Sequence, residues 1–431
     1  MRVLCVLRMF SGLETSVASA RWEPTGVPTI SKIVEALARP PNRLELVLTV
    51  KDGAQYTWAR RDHRVVVHGL GAPVTVLAGS GRFPRWLGRL RRYLSELRQL
   101  WRVLRVALGS RAELIYVDHA NVLAAGVLAR LWRGRVVFRA MGVYPAMRAA
   151  LAGGRLAHRM LRWCYRAPFG AVVCTQDGSG GEAWMARALA ADVPRVLLVN
   201  GVDLDSAAPE GDQVPALPDD KDLVLFVGRL AWHKGAAEFV DGFLSAWRRA
   251  PERLHALIIG AGPLGQKLRA RVAEAGAASA VTFVERLAHR HIIWAQSRAQ
   301  IYVSLNRYGN LSAANLEAMR CGKAVIMPAA QPETGVDVAT EALVPAAAAL
   351  RIGRVGDAAA LGEAILTLHR DSRRRGEMES AMARAAAAFI PDWGTRVRTE
   401  LRLMQAISAR DEAAIRKLTE RGAGRVGADA L

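Results

Sequence analysis

Two cations five positions apart, Arg229 and Lys234, sit in the stretch Gly228-Arg229-Leu230-Ala231-Trp232-His233-Lys234-Gly235, directly after the apolar run Leu223–Val227. Such a run reads as a buried strand, and a helical pattern follows the loop. Both side chains therefore project from one strand-to-helix turn, where a pair of cations can neutralise a diphosphate. A second stretch, Ile301 to Met327, has the same grammar. Ile301-Tyr302-Val303 reads as a buried strand and residues 306–310 as a loop of small and polar types. Ser312 is placed to cap a short helix that carries Glu317, and Ala324–Met327 returns as a strand. A loop ending in a helix N-terminus offers unpaired backbone N–H groups to an anion. Glu317 lies about one turn further in, where its carboxylate can accept from a hydroxyl beside that anion. A diphosphate joined to a ribose would satisfy the arrangement. An ordinary strand–turn–helix with a surface glutamate accounts equally well for this second stretch taken alone.

The Arg229/Lys234 spacing, followed by the turn Gly260-Ala261-Gly262-Pro263 and then the Leu316-Glu317-Ala318-Met319 helix, resembles the retaining GT-B glycosyltransferases of family 4, the glycosyl transferases group 1. The resemblance covers most of the chain and is strongest from about Leu223 to Ala388. It implies an α/β protein of GT-B architecture, two Rossmann-like domains with open parallel sheets facing a cleft. The donor would then lie mainly on the C-terminal domain, at the carboxyl ends of its strands. The implied activity is transfer of a sugar, with retention, from a nucleoside-diphosphate sugar to a glycan or lipid-linked acceptor of the cell envelope. On this resemblance Arg229 and Lys234 hold the diphosphate and stabilise the charge growing on the leaving phosphate. Glu317 would hold the ribose, and Gly228, Asn310, Leu311 and Ser312 would line the donor. Arg286 follows the strand Val281–Val284, in the region that surrounds the nucleobase in relatives. The Gly-rich loop that faces phosphates and acceptor after the first strand has Gly12, Gly26 and Thr29 as its nearest matches. Asp118 and His119, at the end of the strand Leu114–Val117, are the polar candidates on the acceptor side. No metal cluster is visible and no cofactor is implied beyond the donor, because the two cations do what a metal would.

Two departures matter. Relatives place a first glutamate eight positions before the one matching Glu317, and here that position is Gly309. The adjacent Asn310 can hydrogen-bond sugar hydroxyls but carries no charge. Relatives also carry a histidine before the glycine matching Gly142, where this chain has Met141. These leave two other functions open: a catalytically inactive relative that binds nucleotide and membrane, or a GT-B sugar-nucleotide epimerase.

The elements needed to position these residues fit the length. A chain of 431 residues divides naturally into two domains. The expected division is 1–212 as an acceptor-side Rossmann-like domain and 213–390 as the nucleotide-sugar domain. Residues 391–409 would be a helix crossing back, and 410–431 a frayed tail. Charged content of 23% with 51% hydrophobic residues describes a folded protein rather than a disordered one. The net charge of +21 is uneven: residues 1–212 carry +14 of it, which points to an anionic surface or acceptor on that half. Gly81–Arg111 holds nine Arg against one Glu around a stripe of Leu87, Leu90, Leu94, Leu97, Trp101, Leu104 and Leu108. The expectation is leucines packed inward on a sheet and arginines turned toward an anionic membrane. A second basic helix is expected over Ala149–Ala167. Nucleic-acid binding is excluded in spite of the charge, since no recognition motif is present and aromatics are only 6%. Cys5, Cys164, Cys174 and Cys321 have no metal-ligand spacing and suit a reducing cytoplasm. No run reaches the roughly 18 apolar residues of a spanning helix. The expected location is therefore cytoplasmic, peripheral on the inner face of the membrane.

Overall fold

The computed structural model describes residues 1–10, 12–51, 61–79, 88–208 and 217–422. The chain separates into two compact units. Unit 1 consists of Met1–Thr175, Glu182–Leu198 and the segment from Gly394 onward; unit 2 consists mainly of Val199–Trp393 together with Gln176–Gly181.

Unit 1 is built on β1 (Arg2–Arg8), β2 (Arg43–Thr49), β3 (His63–Val66), β4 (Pro73–Leu77), β5 (Leu114–Asp118), β6 (Val136–Ala140), β7 (Ala171–Thr175) and β8 (Arg195–Leu198). Their order is β3-β4-β2-β1-β5-β6-β7-β8, parallel throughout except for the edge pair β3–β4. Unit 2 carries β9 (Asp222–Val227), β10 (Leu254–Ile259), β11 (Val281–Val284), β12 (Ile301–Val303), β13 (Ala324–Pro328) and β14 (Ala349–Ile352), all parallel, in the order β11-β10-β9-β12-β13-β14. The central strands β5, β6, β7, β10, β12 and β13 are buried along their whole length. Helices cover both faces of such a sheet, which is why these strands read as unbroken apolar runs and not as alternating patterns. In unit 2 the strand order reverses between β9 and β12. The loops leaving two such strands diverge to opposite faces and open a crevice at their carboxyl ends. Those loops are residues 228–235 and 304–312, the two stretches that carry the candidate chemistry.

The long helix of unit 1 runs from Gly88 to Gly109; residues 81–87 of the expected segment, including Phe83, Arg85, Trp86 and Leu87, lie outside the described residues. Its orientation differs from the expectation. Leu90, Leu97, Trp101 and Leu108 are exposed, and the buried face is Ser95, Gln99, Val103 and Ala107. Hydrogen bonding decides this. Gln99 Oε1 accepts from Arg8 Nη1 at 2.8 Å and its Nε2 donates to the Val50 carbonyl at 3.0 Å. Arg102 donates to the Ala78 carbonyl at 2.8 Å and pairs with Asp62 at 2.8 Å. Turning the leucines inward would strand these polar groups or leave their partners buried and unpaired, at a cost of about 1–3 kcal/mol each. The second basic segment is two helices, Pro145–Ala152 and Leu156–Tyr165, interrupted at Gly153-Gly154.

The helix Trp393–Ala409 is locked to the sheet of unit 1 from Gly394 onward by a fully buried charge cluster. Glu400 accepts from Arg396 Nη1 at 2.6 Å and from the Tyr116 hydroxyl at 2.8 Å, with Arg139 Nε at 3.4 Å. Burial alone would push the Glu400 carboxyl upward, but Arg396 and Arg139 hold it below the usual range. Residues 412–422, expected to fray, form a further helix whose Ile415 and Leu418 pack on the same core.

Candidate active site

Arg229 and Lys234 reach their places through glycine backbone. Gly260 has φ +145°, and a Cβ there would lie 2.0 Å from the Gly228 carbonyl oxygen; one at Gly262 would lie 2.4 Å from that of Leu230. The Gly-Ala-Gly turn is thus needed to let the loop after β10 press against the loop after β9. Gly235 has φ +69° and ends the Trp232–Lys234 turn against Leu305, so the 228–235 loop abuts the 304–312 loop. Arg307 binds the two together: its N–H donates to the His233 carbonyl at 2.9 Å, its guanidinium pairs with Glu238 and lies 4.6 Å over the Trp232 ring. Tyr308 stacks on His233.

Arg229 is exposed, and its side chain makes no ion pair or hydrogen bond among the described residues. Lys234 is half-buried; burial pulls its ammonium down, opposed by the nearby Asp177 carboxylate. The two cations also hold the intervening His233, already disfavoured as a cation by burial, below its ordinary range. A site with this much uncompensated positive charge is stabilised by an arriving polyanion. Glu317 lies on the helix Ala313–Arg320, 8% exposed, and its Oε1 meets His289 Nε2 at 2.9 Å. That hydrogen bond raises the His289 pKa. Ser312 occupies the N-cap position with extended backbone, but its side chain makes no capping bond, so the expected cap is absent.

Several candidates have other work. Asn310 is fully buried and its side chain is saturated: Oδ1 accepts from Ser304 Oγ at 2.6 Å and Asn306 N at 3.1 Å, and Nδ2 donates to Asn306 O at 2.9 Å and Asp337 Oδ2 at 2.6 Å. It shapes the loop and has no capacity left for a sugar hydroxyl, which corrects the expectation. Leu311 is wholly buried, its N–H donating to the Asp177 carbonyl at 3.0 Å. Gly228 lies beside the Phe226 ring, and Arg286 is exposed just beyond β11. In unit 1, the Asp118 carboxylate is consumed by Arg8 N at 2.8 Å and Asn121 Nδ2 at 2.7 Å, so it holds the β5 end in shape. His119 stacks on Tyr165 with its Nε2 3.0 Å from the Tyr165 hydroxyl, and burial pulls its pKa down to about 4. Gly26 has φ +78°, and Thr29 is buried in the helix Pro28–Ala38.

Asp177 and Asp337 carry no motif in the sequence, yet both enter this region of unit 2. Asp337, at φ +58°, accepts from Asn310 N at 2.7 Å and Thr340 Oγ1 at 2.7 Å. Among the described residues no group of three or more His, Cys, Asp or Glu side chains could hold a metal ion.

Two α/β units with mainly parallel sheets, one of them with a strand-order reversal where Arg229 and Lys234 leave β9, have the architecture of the GT-B fold. The family described as glycosyl transferases group 1 matches residues 208–387, which take in all of these donor-side residues. Among solved structures, sucrose-phosphate synthase from Thermosynechococcus elongatus superposes with a TM-score of 0.67 at 18% identity, over 95% of this chain and 100% of its own. Anabaena HepE in complex with UDP gives 0.66 at 16% identity, over 94% and 100%. The N-terminal domain of Candida albicans trehalose-6-phosphate phosphatase gives 0.68 at 13%, over 94% and 97%. No curated protein matches the chain in sequence.

Proposed function

We propose that this protein transfers a sugar from a nucleoside diphosphate to a glycan or lipid-linked acceptor, with retention of anomeric configuration and without a metal. The observation that carries the reading is the pair Arg229 and Lys234, neither of them in a salt bridge among the described residues, at the β9/β12 reversal inside the segment that matches a glycosyltransferase family. A diphosphate seated there places its ribose toward Glu317, and the leaving phosphate keeps both cations as its charge grows. The HepE likeness, a complex with UDP, supports a nucleotide in this fold. Thermal-shift screening of UDP-, GDP- and ADP-sugars tests the donor. Product analysis with and without acceptor then separates transfer from epimerisation, and the anomeric configuration of the product tests retention. Absence of any nucleotide-dependent shift would remove the reading.

The acceptor side is proposed to work at an anionic membrane surface. No described helix is long and apolar enough to cross a membrane. The support is a face of unit 1 on which the helices Gly88–Gly109, Val122–Leu131 and Leu156–Tyr165 pack side by side. It exposes Leu90, Leu97, Trp101 and Leu108, together with Leu131, Leu156 and Trp163. From His119 to Gln176 the chain has nine Arg, eight of them outside the buried Glu400 cluster, and neither Asp nor Glu, a bias that suits lipid phosphate better than an acidic partner of mixed charge.

A further inference from the structure

Residues 176–181 leave β7 and belong to unit 2, where they are fitted against the 304–312 loop with little room to spare. The Leu311 N–H donates to the Asp177 carbonyl at 3.0 Å, and the Asp337 N–H donates to the Gly178 carbonyl at 2.7 Å. Two glycines make the approach possible. Gly309 has φ +129°, and a Cβ there would stand 2.5 Å from the Asp177 carbonyl oxygen; Gly178 has φ +85°, and a Cβ there would stand 2.7 Å from Asn310 N. Any side chain at position 309 would expel the 176–181 loop, so the same geometry that denies position 309 a carboxylate brings one in from Asp177.

That carboxylate is poised rather than consumed. Asp177 Oδ1 accepts from the Ser179 N–H at 3.0 Å and from the Ser179 hydroxyl, and among the described residues no other residue's side chain donates to the carboxylate. Lys234 is near enough that each group shifts the other's titration. The preceding residue, Gln176, is 8% exposed, and its Oε1 is buried without a partner. A carboxylate beside the diphosphate-binding lysine with acceptor capacity left over suits an O–H donor from a ligand. A hydroxylated ring attached to the diphosphate supplies one.

We propose that Asp177 receives a hydroxyl of the transferred sugar, with Ser179 orienting its carboxylate. This rests on the diphosphate reading of Arg229 and Lys234. It makes Asp177 a donor-sugar residue contributed by a segment far from the rest of the site in sequence, and it restricts the transferred group to one bearing hydroxyls on the face turned toward Lys234.

The test compares Asp177→Asn with wild type by calorimetry, using whichever pair the screen selects: UDP with UDP-glucose, GDP with GDP-mannose, or ADP with ADP-glucose. Asparagine keeps the shape and can still accept from Ser179. The variant is expected to bind the free diphosphate at least as tightly as wild type, since a negative charge beside Lys234 is gone. Its affinity for the nucleotide-sugar should fall ten- to hundredfold, the scale of losing a hydrogen bond to a charged group. An unchanged preference for nucleotide-sugar over diphosphate overturns the assignment to Asp177 and leaves the diphosphate site standing. Wild-type protein that binds none of the diphosphates overturns the site reading itself. Asp177→Ser, which removes the carboxylate and keeps an acceptor, is read in the same way. If both variants fail to fold, Asp177 is a structural residue and the proposal is wrong.

Discussion

Replacing Trp101 and Leu108 together by serine probes the outward face of the Gly88–Gly109 helix. Leu90, Leu97, Trp101 and Leu108 leave 53, 53, 60 and 68% of their surface exposed. Full burial of a side chain of this size is worth about 1.5–3 kcal/mol, so moving the exposed half of each into a bilayer interface is worth about 1 kcal/mol, or about 4 in all. Among the described residues Arg98 and Arg105 flank the ridge without ion-pair partners, and near an anionic surface each adds about 1 kcal/mol. A sum of about 6 kcal/mol corresponds to an association constant of about 10⁴ M⁻¹, the reversible range of a single acyl chain. High salt should remove the arginine share, weakening binding about thirtyfold. The double serine variant should lose about 2 kcal/mol of lipid affinity by the same arithmetic. Its stability in a urea titration should stay within about 0.5 kcal/mol of wild type, as expected for outward positions. Co-sedimentation with phosphatidylglycerol–phosphatidylcholine vesicles at low and high salt measures the first effect. A variant that sediments as wild type does would refute the lipid contact. A loss of more than about 2 kcal/mol in stability would place the ridge in a core instead.

Three further outcomes follow from the packing. Glu400→Gln leaves Arg139 and Arg396 buried without their counter-charge and should cost about 3–5 kcal/mol in urea denaturation; a loss below about 1 kcal/mol would mean the cluster is solvated. His119 is held neutral by burial, with its pKa down to about 4, so the unfolded chain takes up that proton first as pH falls below its ordinary value. Stability should therefore drop by about 2 kcal/mol between pH 7 and 5 through this residue, and His119→Gln should show that much less acid sensitivity. Gly309→Ala adds a Cβ 2.5 Å from the Asp177 carbonyl at a positive φ, and should cost about 1–3 kcal/mol while weakening nucleotide-sugar binding. Wild-type behaviour on both counts would show that the 176–181 loop moves aside freely.

The sheets were legible because strands buried on both faces announce themselves as continuous apolar runs, and Leu223–Val227 and Ile301–Val303 placed Arg229 and Lys234 on the loop after one strand and Glu317 on the helix after the other. What periodicity cannot supply is the direction of a stripe. The Leu90–Leu108 spacing is the same whichever face meets the sheet, and the choice turned on Arg8, Val50 and Asp62, none of them near the helix in sequence. Asn310 had the right chemistry for a sugar, but its capacity is taken up by Ser304, Asn306 and Asp337. Asp177 could not be found from motif spacing, because the feature that admits it is the missing Cβ of Gly309, 132 positions away. That glycine reads as a loss in the sequence and as a fitted contact in the fold.

The central claim is that a nucleoside diphosphate is held by Arg229 and Lys234 at the β9/β12 reversal. Calorimetric titration of wild type, Arg229→Ala and Lys234→Ala with UDP, GDP and ADP tests it most directly, alongside turnover on the nucleotide-sugar the screen identifies. Each variant should keep the wild-type melting temperature without ligand, since neither side chain is in a salt bridge among the described residues. Each should bind the diphosphate at least tenfold more weakly and turn over about 10²–10³ times more slowly, the scale of losing one transition-state donor. Variants that bind and turn over as wild type does would contradict the claim.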